Sequence, residues 1–109
     1  MRFVETPIFT KEVLDLLDDD EYRALQLALI FRPEQGAIIS GIISGSGGLR
    51  KLRWGGKGRG KRGGLRVIYY QAKEEDTFYM LFVYPKNEQE DLTPTQLRVL
   101  GRLVREEFK

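Results

Sequence analysis

Apolar residues in the first third of the chain recur three and four positions apart, which is the spacing of one face of a helix. Phe9 and Val13 mark this face at the start of the pattern. The pattern predicts two short helices, over Pro7–Leu17 and Glu21–Arg32. The aspartates between them offer an N-cap for the second helix, and Pro33 ends it.

The middle of the chain is rich in β-branched and aromatic residues, which favour strands. Strands are predicted at Leu49–Trp54, Leu65–Ala72 and Thr77–Tyr84, with a weakly alternating one at Arg2–Thr6. Because only a short charged turn separates Leu65–Ala72 from Thr77–Tyr84, these two are expected to form an antiparallel hairpin. Thr77–Tyr84 is apolar almost throughout, which is typical of a central strand covered on both faces. Residues 35–48 combine glycine, serine and isoleucine, and are predicted to be mostly loop with room for one short strand.

The C-terminal segment begins with Thr93, Pro94, Thr95 and Gln96. Threonine at the N-cap, proline at the first helical position and glutamine at the third form a capping box. Leucines at helical spacing then continue to the C-terminus. The predicted order is βααβββα, an α+β fold in which an antiparallel sheet carries its helices on one side. At 109 residues, the chain is expected to be one domain, residues 1–109.

The residue types that the chain lacks limit the reactions it can catalyse and the metals it can bind. The chain has no cysteine and no histidine, which excludes disulfides, thiolate chemistry, imidazole catalysis and zinc sites built on these ligands. No apolar run reaches the roughly 18 residues that would cross a bilayer, and the N-terminus lacks the pattern of a signal peptide. We therefore expect a cytoplasmic protein without metal or cofactor, in which Lys, Arg, Tyr or a carboxylate moves any proton.

Positive charge is concentrated in one stretch of the chain. The net charge is only +2, but residues 50–66 contain eight Lys or Arg and no acid. The other residues carry ten Lys or Arg against sixteen acids, a net charge of −6. Because like charges repel, a site for a polyanion is favoured over a merely solvated basic hairpin. The eight cations are Arg50, Lys51, Arg53, Lys57, Arg59, Lys61, Arg62 and Arg66.

Within this stretch, Gly55–Gly64 contains two glycine patterns like those of nucleotide-binding loops. Both patterns require a helix after the glycines, because the helix N-terminus holds the phosphates. Here a predicted strand follows, and Arg62 stands where a P-loop needs serine or threonine, so nucleotide binding is rejected. A glycine-rich loop with alternating cations is instead suited to follow a phosphodiester backbone without reading bases.

RNA or DNA is the natural polyanion for such a loop, because nearby aromatic rings are available to stack on bases. A membrane surface is a weaker candidate, since no amphipathic anchor accompanies the charges. The aromatic residues are Trp54, Tyr69, Tyr70, Tyr79 and Tyr84.

A second polar group follows the apolar strand and contains Lys86, Glu88 and Asp91. Side chains at the end of a strand can project over the sheet edge and flank the same face as the basic strands. The alternative is that these are turn charges held in salt bridges. Spacing alone favours neither interpretation.

Four segments of the chain stand out together: GGLRKLRW, GKRGGLRVIYY, FYMLFVYPKNE and DLTPTQ. In this order they resemble the RelE/HigB family, toxins of bacterial toxin–antitoxin pairs. The resemblance covers most of the chain and is strongest from Gly47 to Gln96, while residues 1–46 match mainly in layout. It implies a compact sheet with two N-terminal helices and a ribosome-dependent, metal-independent endoribonuclease that cleaves messenger RNA in the A site. It also implies a cognate antitoxin of the HigA or RelB type, with a helix-turn-helix domain in the HigB branch, so that DNA is bound only through the antitoxin.

The resemblance assigns roles to individual residues. Arg66 matches the arginine that stabilises charge on the scissile phosphate, and Lys86 matches a lysine that follows the apolar strand. The family's basic residues on the preceding strand fall, with a register uncertain by one, on Arg50, Lys51 and Arg53. The remaining expected RNA contacts are Arg59, Arg62, Trp54 and Tyr70.

The chain departs from the family at two points. Asn87 stands where some members have arginine, and the C-terminal tyrosine is missing. The general base is therefore open among Lys57, Lys61, Tyr84 and Glu88. Two other functions also stay open: a ParE-type inhibitor of DNA gyrase on a similar fold, and a non-catalytic module that binds RNA or DNA.

Overall fold

The computed structural model of the chain describes residues 1–39, 49–55, 64–89 and 91–107. It confirms the predicted α+β class, and the bounds of two central strands agree with those predicted. The predicted order omits one strand of two residues, which lies within the segment 35–48 that is predicted to have room for one short strand. The elements are β1 (Arg2–Glu5), α1 (Pro7–Leu16), α2 (Asp19–Phe31), β2 (Ala37–Ile38), β3 (Leu49–Trp54), β4 (Leu65–Ala72), β5 (Thr77–Pro85) and α3 (Pro94–Glu107).

The five strands form one sheet in the order β1-β5-β4-β3-β2. Strands β2 to β5 pair antiparallel, whereas β1 runs parallel to β5, with Arg2 opposite Thr77. The sheet is therefore mixed, and the expectation of an antiparallel sheet is wrong at β1. Parallel neighbours need a long crossover, and the direction in which β1 joins the sheet depends on pairing with a strand far along the chain, which local patterns do not encode.

Apolar side chains cover both faces of the sheet. Helices α1 and α2 pack on one face, called here the α1/α2 face, and α3 packs on the other, the α3 face. The expectation that all helices lie on one side is therefore wrong, while the prediction of a central strand at Thr77–Tyr84 covered on both faces is confirmed. Buried residues of the α1/α2 face include Phe9, Val13, Leu25, Leu52, Val67, Phe78 and Met80. Those of the α3 face include Leu49, Ile68, Tyr70, Leu81, Tyr84 and Leu100.

Each helix begins at a side-chain cap. Thr6 Oγ1 accepts the backbone N–H three residues later, at 3.0 Å. Asp18 caps α2 and exchanges reciprocal hydrogen bonds with Glu21. Thr93 and Gln96 make the same pair of bonds at the start of α3, which confirms the predicted capping box. Caps of this kind contribute about 1 kcal/mol each, so they fix where the helices begin.

The alternation of side chains along β5 is interrupted once. Phe82 and Met80 lie opposite consecutive residues of β4, so Leu81 is an extra residue between them. Such a bulge bends the strand and re-aims the side chains that follow. Leu81 and Phe82 consequently both face α3, and beyond the bulge Tyr84 lies on the α3 face as well.

Tyr69 connects the centre of the sheet to the segment that follows α2. Its hydroxyl donates to Pro33 O at 2.8 Å and accepts from Gly36 N at 3.0 Å. The side chain is 0% exposed. A Cβ atom at Gly36 would lie 2.9 Å from the tyrosine ring and hydroxyl, so the close approach requires glycine.

The stability of the protein is expected to be nearly constant from about pH 6 to pH 9, because the chain has no histidine to titrate there. Above about pH 10 we expect it to fall. Burial and the Glu5 carboxylate raise the pKa of Tyr22, and burial raises the pKa of Tyr69. The unfolded chain then loses phenolic protons that the folded chain retains, so unfolding is favoured as the pH rises past the unfolded value.

Urea unfolding curves measured across this range test the expectation. The variant Tyr22→Phe removes one of the retained protons and should show a smaller alkaline loss than the parent. A change in unfolding free energy of more than about 1 kcal/mol between pH 6 and pH 9 would contradict the expectation.

Candidate nucleic-acid interface

A row of polar side chains crosses the α3 face of the sheet on three neighbouring strands. Arg66 on β4 lies directly opposite Arg53 on β3 and directly opposite Tyr84 on β5. Directly opposed residues share a face, with Cβ atoms about 5 Å apart. Lys51 lies two residues from Arg53 along β3 and therefore faces the same way. The strand pairing thus brings together four of the residues predicted to form the site.

Arg66 is almost completely buried yet makes few bonds. It is 7% exposed, and its one hydrogen bond among the described residues is a long one, from Nη1 to Leu65 O at 3.3 Å. No salt bridge joins it to a carboxylate in that part of the chain. A guanidinium carries five N–H donors and keeps its charge when buried. Arg66 therefore keeps most of its capacity to bind an anion.

Tyr84 has a buried hydroxyl with no hydrogen-bond partner in the described parts of the chain. The residue is 3% exposed. Burial raises the pKa of this hydroxyl, the Asp91 carboxylate raises it further, and Arg66 acts in the opposite direction. Tyr84 consequently keeps its proton at neutral pH, and the arrangement suits a hydrogen-bond donor better than a general base.

Asp91, in the segment between β5 and α3, reaches back over this row. Its Oδ1 accepts from Lys51 Nζ at 3.1 Å and from Leu92 N at 3.0 Å. The Lys51 hydrogen bond, the Leu92 amide and the charge of Arg66 lower the pKa of the Asp91 carboxyl, while burial opposes them. From the sequence, the polar group after β5 is interpreted either as flanking the site or as turn charges held in salt bridges. Asp91 forms a salt bridge, with Lys51, and its carboxylate also lies beside the predicted site.

Two predicted RNA-binding residues lie on the opposite face. Arg50 Nη1 donates to Glu34 O at 3.1 Å and to Gly36 O at 2.8 Å. Trp54 packs against the cluster of the α1/α2 face. Alternation along β3 places Lys51 and Arg53 on the face of Arg66 and Arg50 on the other face.

Most of the tyrosines considered for base stacking have little surface to offer. Tyr69 is fully buried on the α1/α2 face and Tyr70 is 8% exposed on the α3 face. Tyr79 is half-buried and its hydroxyl donates to Glu75 at 2.9 Å.

Lys86 and Glu88 are exposed in the turn that follows β5. The backbone N–H of Lys86 donates to Gly64 O at 3.0 Å, so this turn lies at the end of the sheet where the glycine loop rejoins β4. Four predicted residues lie outside the described residues, together with most of that loop: Lys57, Arg59, Lys61 and Arg62.

Other kinds of functional site are not evident among the described residues. Within the described ranges, no three His, Cys, Asp or Glu side chains come together as a metal site would require. No helix in those ranges is both long and apolar enough to cross a bilayer. A cavity of about 320 Å³ lies elsewhere, against the segment after α2, and Gln71 from β4 lines it.

Comparison with known protein families gives a match over most of the chain. The family model described as the RelE toxin of the RelE / RelB toxin–antitoxin system matches residues 33–108. The matched range holds strands β2 to β5, α3 and the whole polar row with Asp91. Such a toxin has an antitoxin as its partner. The chain therefore belongs to the RelE toxin family of toxin–antitoxin systems.

Proposed function

We propose that this toxin is a ribosome-dependent endoribonuclease that cleaves messenger RNA in the ribosomal A site and so inhibits translation in the cytoplasm. The observation that carries the proposal is the row of Arg53, Arg66 and Tyr84 across three strands. Within the described ranges, Arg66 is buried and has one long hydrogen bond. A buried cation with free donors, beside other cations, suits a phosphodiester group. The family match supports a toxin with this kind of target.

RNA supplies its own nucleophile for this reaction. The 2′ oxygen attacks the adjacent phosphorus, the bond from phosphorus to the 5′ oxygen breaks, and the products are a 2′,3′-cyclic phosphate and a 5′-hydroxyl end. The protein must stabilise the extra negative charge on the phosphorane-like transition state. Arg66 is placed to do so, because a guanidinium can bind two phosphate oxygens at once.

Two proton transfers accompany this displacement: the 2′ hydroxyl loses a proton and the 5′ oxygen gains one. Tyr84 retains its proton, since burial raises its pKa, and is assigned as a donor to the phosphate or to the leaving oxygen. Lys57, Lys61 and the exposed Glu88 remain the candidates for the base. Modest acid–base chemistry is sufficient if the ribosome holds the RNA in the in-line geometry.

The remaining cations are assigned to the flanking phosphates of the RNA, where they add affinity without reading sequence. Arg50 and Trp54 are left out of this role because they lie on the α1/α2 face. The residues assigned to flanking phosphates are Arg53, Arg59, Arg62 and Lys86, while Lys51 is assigned with Arg66 to the scissile phosphate. We further propose that the antitoxin partner carries a helix-turn-helix domain and that contact with DNA occurs only through it.

The proposal predicts cleavage of messenger RNA only in the presence of ribosomes. Purified toxin is added to translating ribosomes and, separately, to the same RNA alone, and the cuts are mapped by primer extension. We expect cuts in phase with codons and cyclic phosphate ends in the first sample, and intact RNA in the second. Intact RNA in both samples, with DNA breakage in a parallel gyrase assay, would instead support the ParE-type function.

A further inference from the structure

The carboxylate of Asp91 lies where several positive groups of the site converge. It accepts from Lys51 Nζ at 3.1 Å and lies close enough to Arg66 for the two charges to interact. Two groups of the site are nevertheless left with unused hydrogen-bonding capacity. Arg66 makes one long bond, and the Tyr84 hydroxyl has no partner among the described residues.

We propose that Lys51, Arg66 and the Tyr84 hydroxyl form a binding site for a single phosphate group, and that the Asp91 carboxylate takes the place of that phosphate in the free toxin. The inference deepens the proposed function, on which it rests for the identity of the phosphate as a phosphodiester of RNA. It assigns to Asp91 the part of an internal competitor that the substrate displaces.

The order of the strands supports this assignment. Tyr84 on β5 lies directly opposite Arg66 on β4, and Lys51 on β3 is the diagonal neighbour of Arg66 on the same face, two residues from Arg53. A long side chain spans such a diagonal, so one anion above Arg66 is within reach of all three. A carboxylate and a phosphodiester both offer two oxygens to such donors. The carboxylate satisfies Lys51 but leaves the Tyr84 hydroxyl without an acceptor. A phosphate placed above Arg66 can accept hydrogen bonds from both Lys51 and the Tyr84 hydroxyl.

The surroundings of Asp91 allow it to be displaced. Its side chain is 70% exposed, whereas the next residue, Leu92, is buried in the cluster of the α3 face. The backbone is therefore anchored while the carboxylate can rotate into solvent. An ion pair this exposed contributes little to stability, so a phosphate can replace it at small cost.

Asp91 has one alternative role, which is to hold Lys51 in position for the substrate. The two roles predict opposite effects of removing the charge. If Asp91 is a competitor, a variant without its charge should bind phosphate more tightly than the parent. If Asp91 positions Lys51, the same variant should bind phosphate more weakly.

The test uses the full chain and two probes that the protein cannot cleave: inorganic phosphate, and a short oligoribonucleotide with 2′-O-methyl groups. Affinities are measured by calorimetry at low salt. We expect Asp91→Asn to bind both probes roughly two- to fivefold more tightly than the parent, the range expected for loss of an exposed ion pair. Tyr84→Phe should bind both more weakly, because it lacks the donor.

The matched control is Asp15→Asn, an exposed acid on α1 that changes the net charge by the same amount on the opposite side of the sheet. Affinities of Asp91→Asn that equal those of Asp15→Asn, or fall below those of the parent, would overturn the inference. So would failure of the parent and Asp91→Asn to bind either probe. None of these measurements requires cleavage, so tighter binding by Asp91→Asn in a toxin that leaves ribosomal messenger RNA uncut would retain the phosphate site and refute the nuclease.

Discussion

Replacing Arg66 with alanine is expected to lower the rate of messenger RNA cleavage on the ribosome by about a hundredfold or more, which corresponds to roughly 3 kcal/mol of transition-state stabilisation. Arg66 is buried and makes one long hydrogen bond to the described part of the chain, so most of its donors are available for the phosphate. The variant should still fold, because removing a buried charge with few bonds offsets the packing lost from the aliphatic part of the side chain. Rates come from primer extension on translating ribosomes, and folding from urea curves.

Two further variants separate the causes of this loss. Arg66→Lys keeps the charge but lacks the planar fork that binds two phosphate oxygens, so it should recover only a small part of the activity. Arg23→Ala removes an exposed arginine on α2, away from the polar row, and should cut at the parental rate. Parental activity in Arg66→Ala would eliminate the proposed site, and full activity in Arg66→Lys would show that charge alone suffices.

The largest effect on stability is expected from Tyr69→Phe, which should lower the free energy of unfolding by about 1–3 kcal/mol. The missing hydroxyl leaves Pro33 O without its donor and Gly36 N without its acceptor, in a fully buried setting. Buried polar groups that lose their partners are destabilising because water cannot replace the bond. Urea unfolding at neutral pH measures the change.

Tyr79→Phe is the matched control for this substitution. Tyr79 also donates through its hydroxyl, but to the exposed carboxylate of Glu75 at 2.9 Å, where water can take its place. Its loss should change the unfolding free energy by no more than about 0.5 kcal/mol. If Tyr69→Phe and Tyr79→Phe lose equal amounts of unfolding free energy, the buried hydrogen bonds of Tyr69 contribute no more to stability than an exposed one.

Local features of the fold could be predicted from the sequence because their causes are local. The bounds of β3 and β4 follow from runs of strand-forming residues between glycines and a charged turn. The capping box at Thr93 depends on residues three apart. The parallel direction of β1 and the position of α3 on the second face depend instead on contacts between distant segments. Two-residue β2 has no periodicity to detect.

The candidate site likewise has residues that the sequence predicts and residues that only contacts between distant segments bring into it. Arg66 is predicted as a site residue because it lies in a segment that resembles a known family. The segment LRKLR has cations that would face both sides of a strand, so no sequence pattern could choose between Arg50 and Lys51. The strand pairing places only Lys51 on the face of Arg66. Asp91 could not be assigned, because its partner Lys51 is 40 residues away in the sequence.

The bulge at Leu81 in β5 determines which side chains of this strand reach the candidate site. Met80 faces the helical hairpin, and regular alternation from it would turn Tyr84 the same way and bring Val83 to the side of Arg66. Leu81 prevents this by shifting the phase of every residue after it. Without this bulge, the same sequence would therefore present methyl groups instead of a hydroxyl at the proposed RNA surface, although no residue of the toxin had changed.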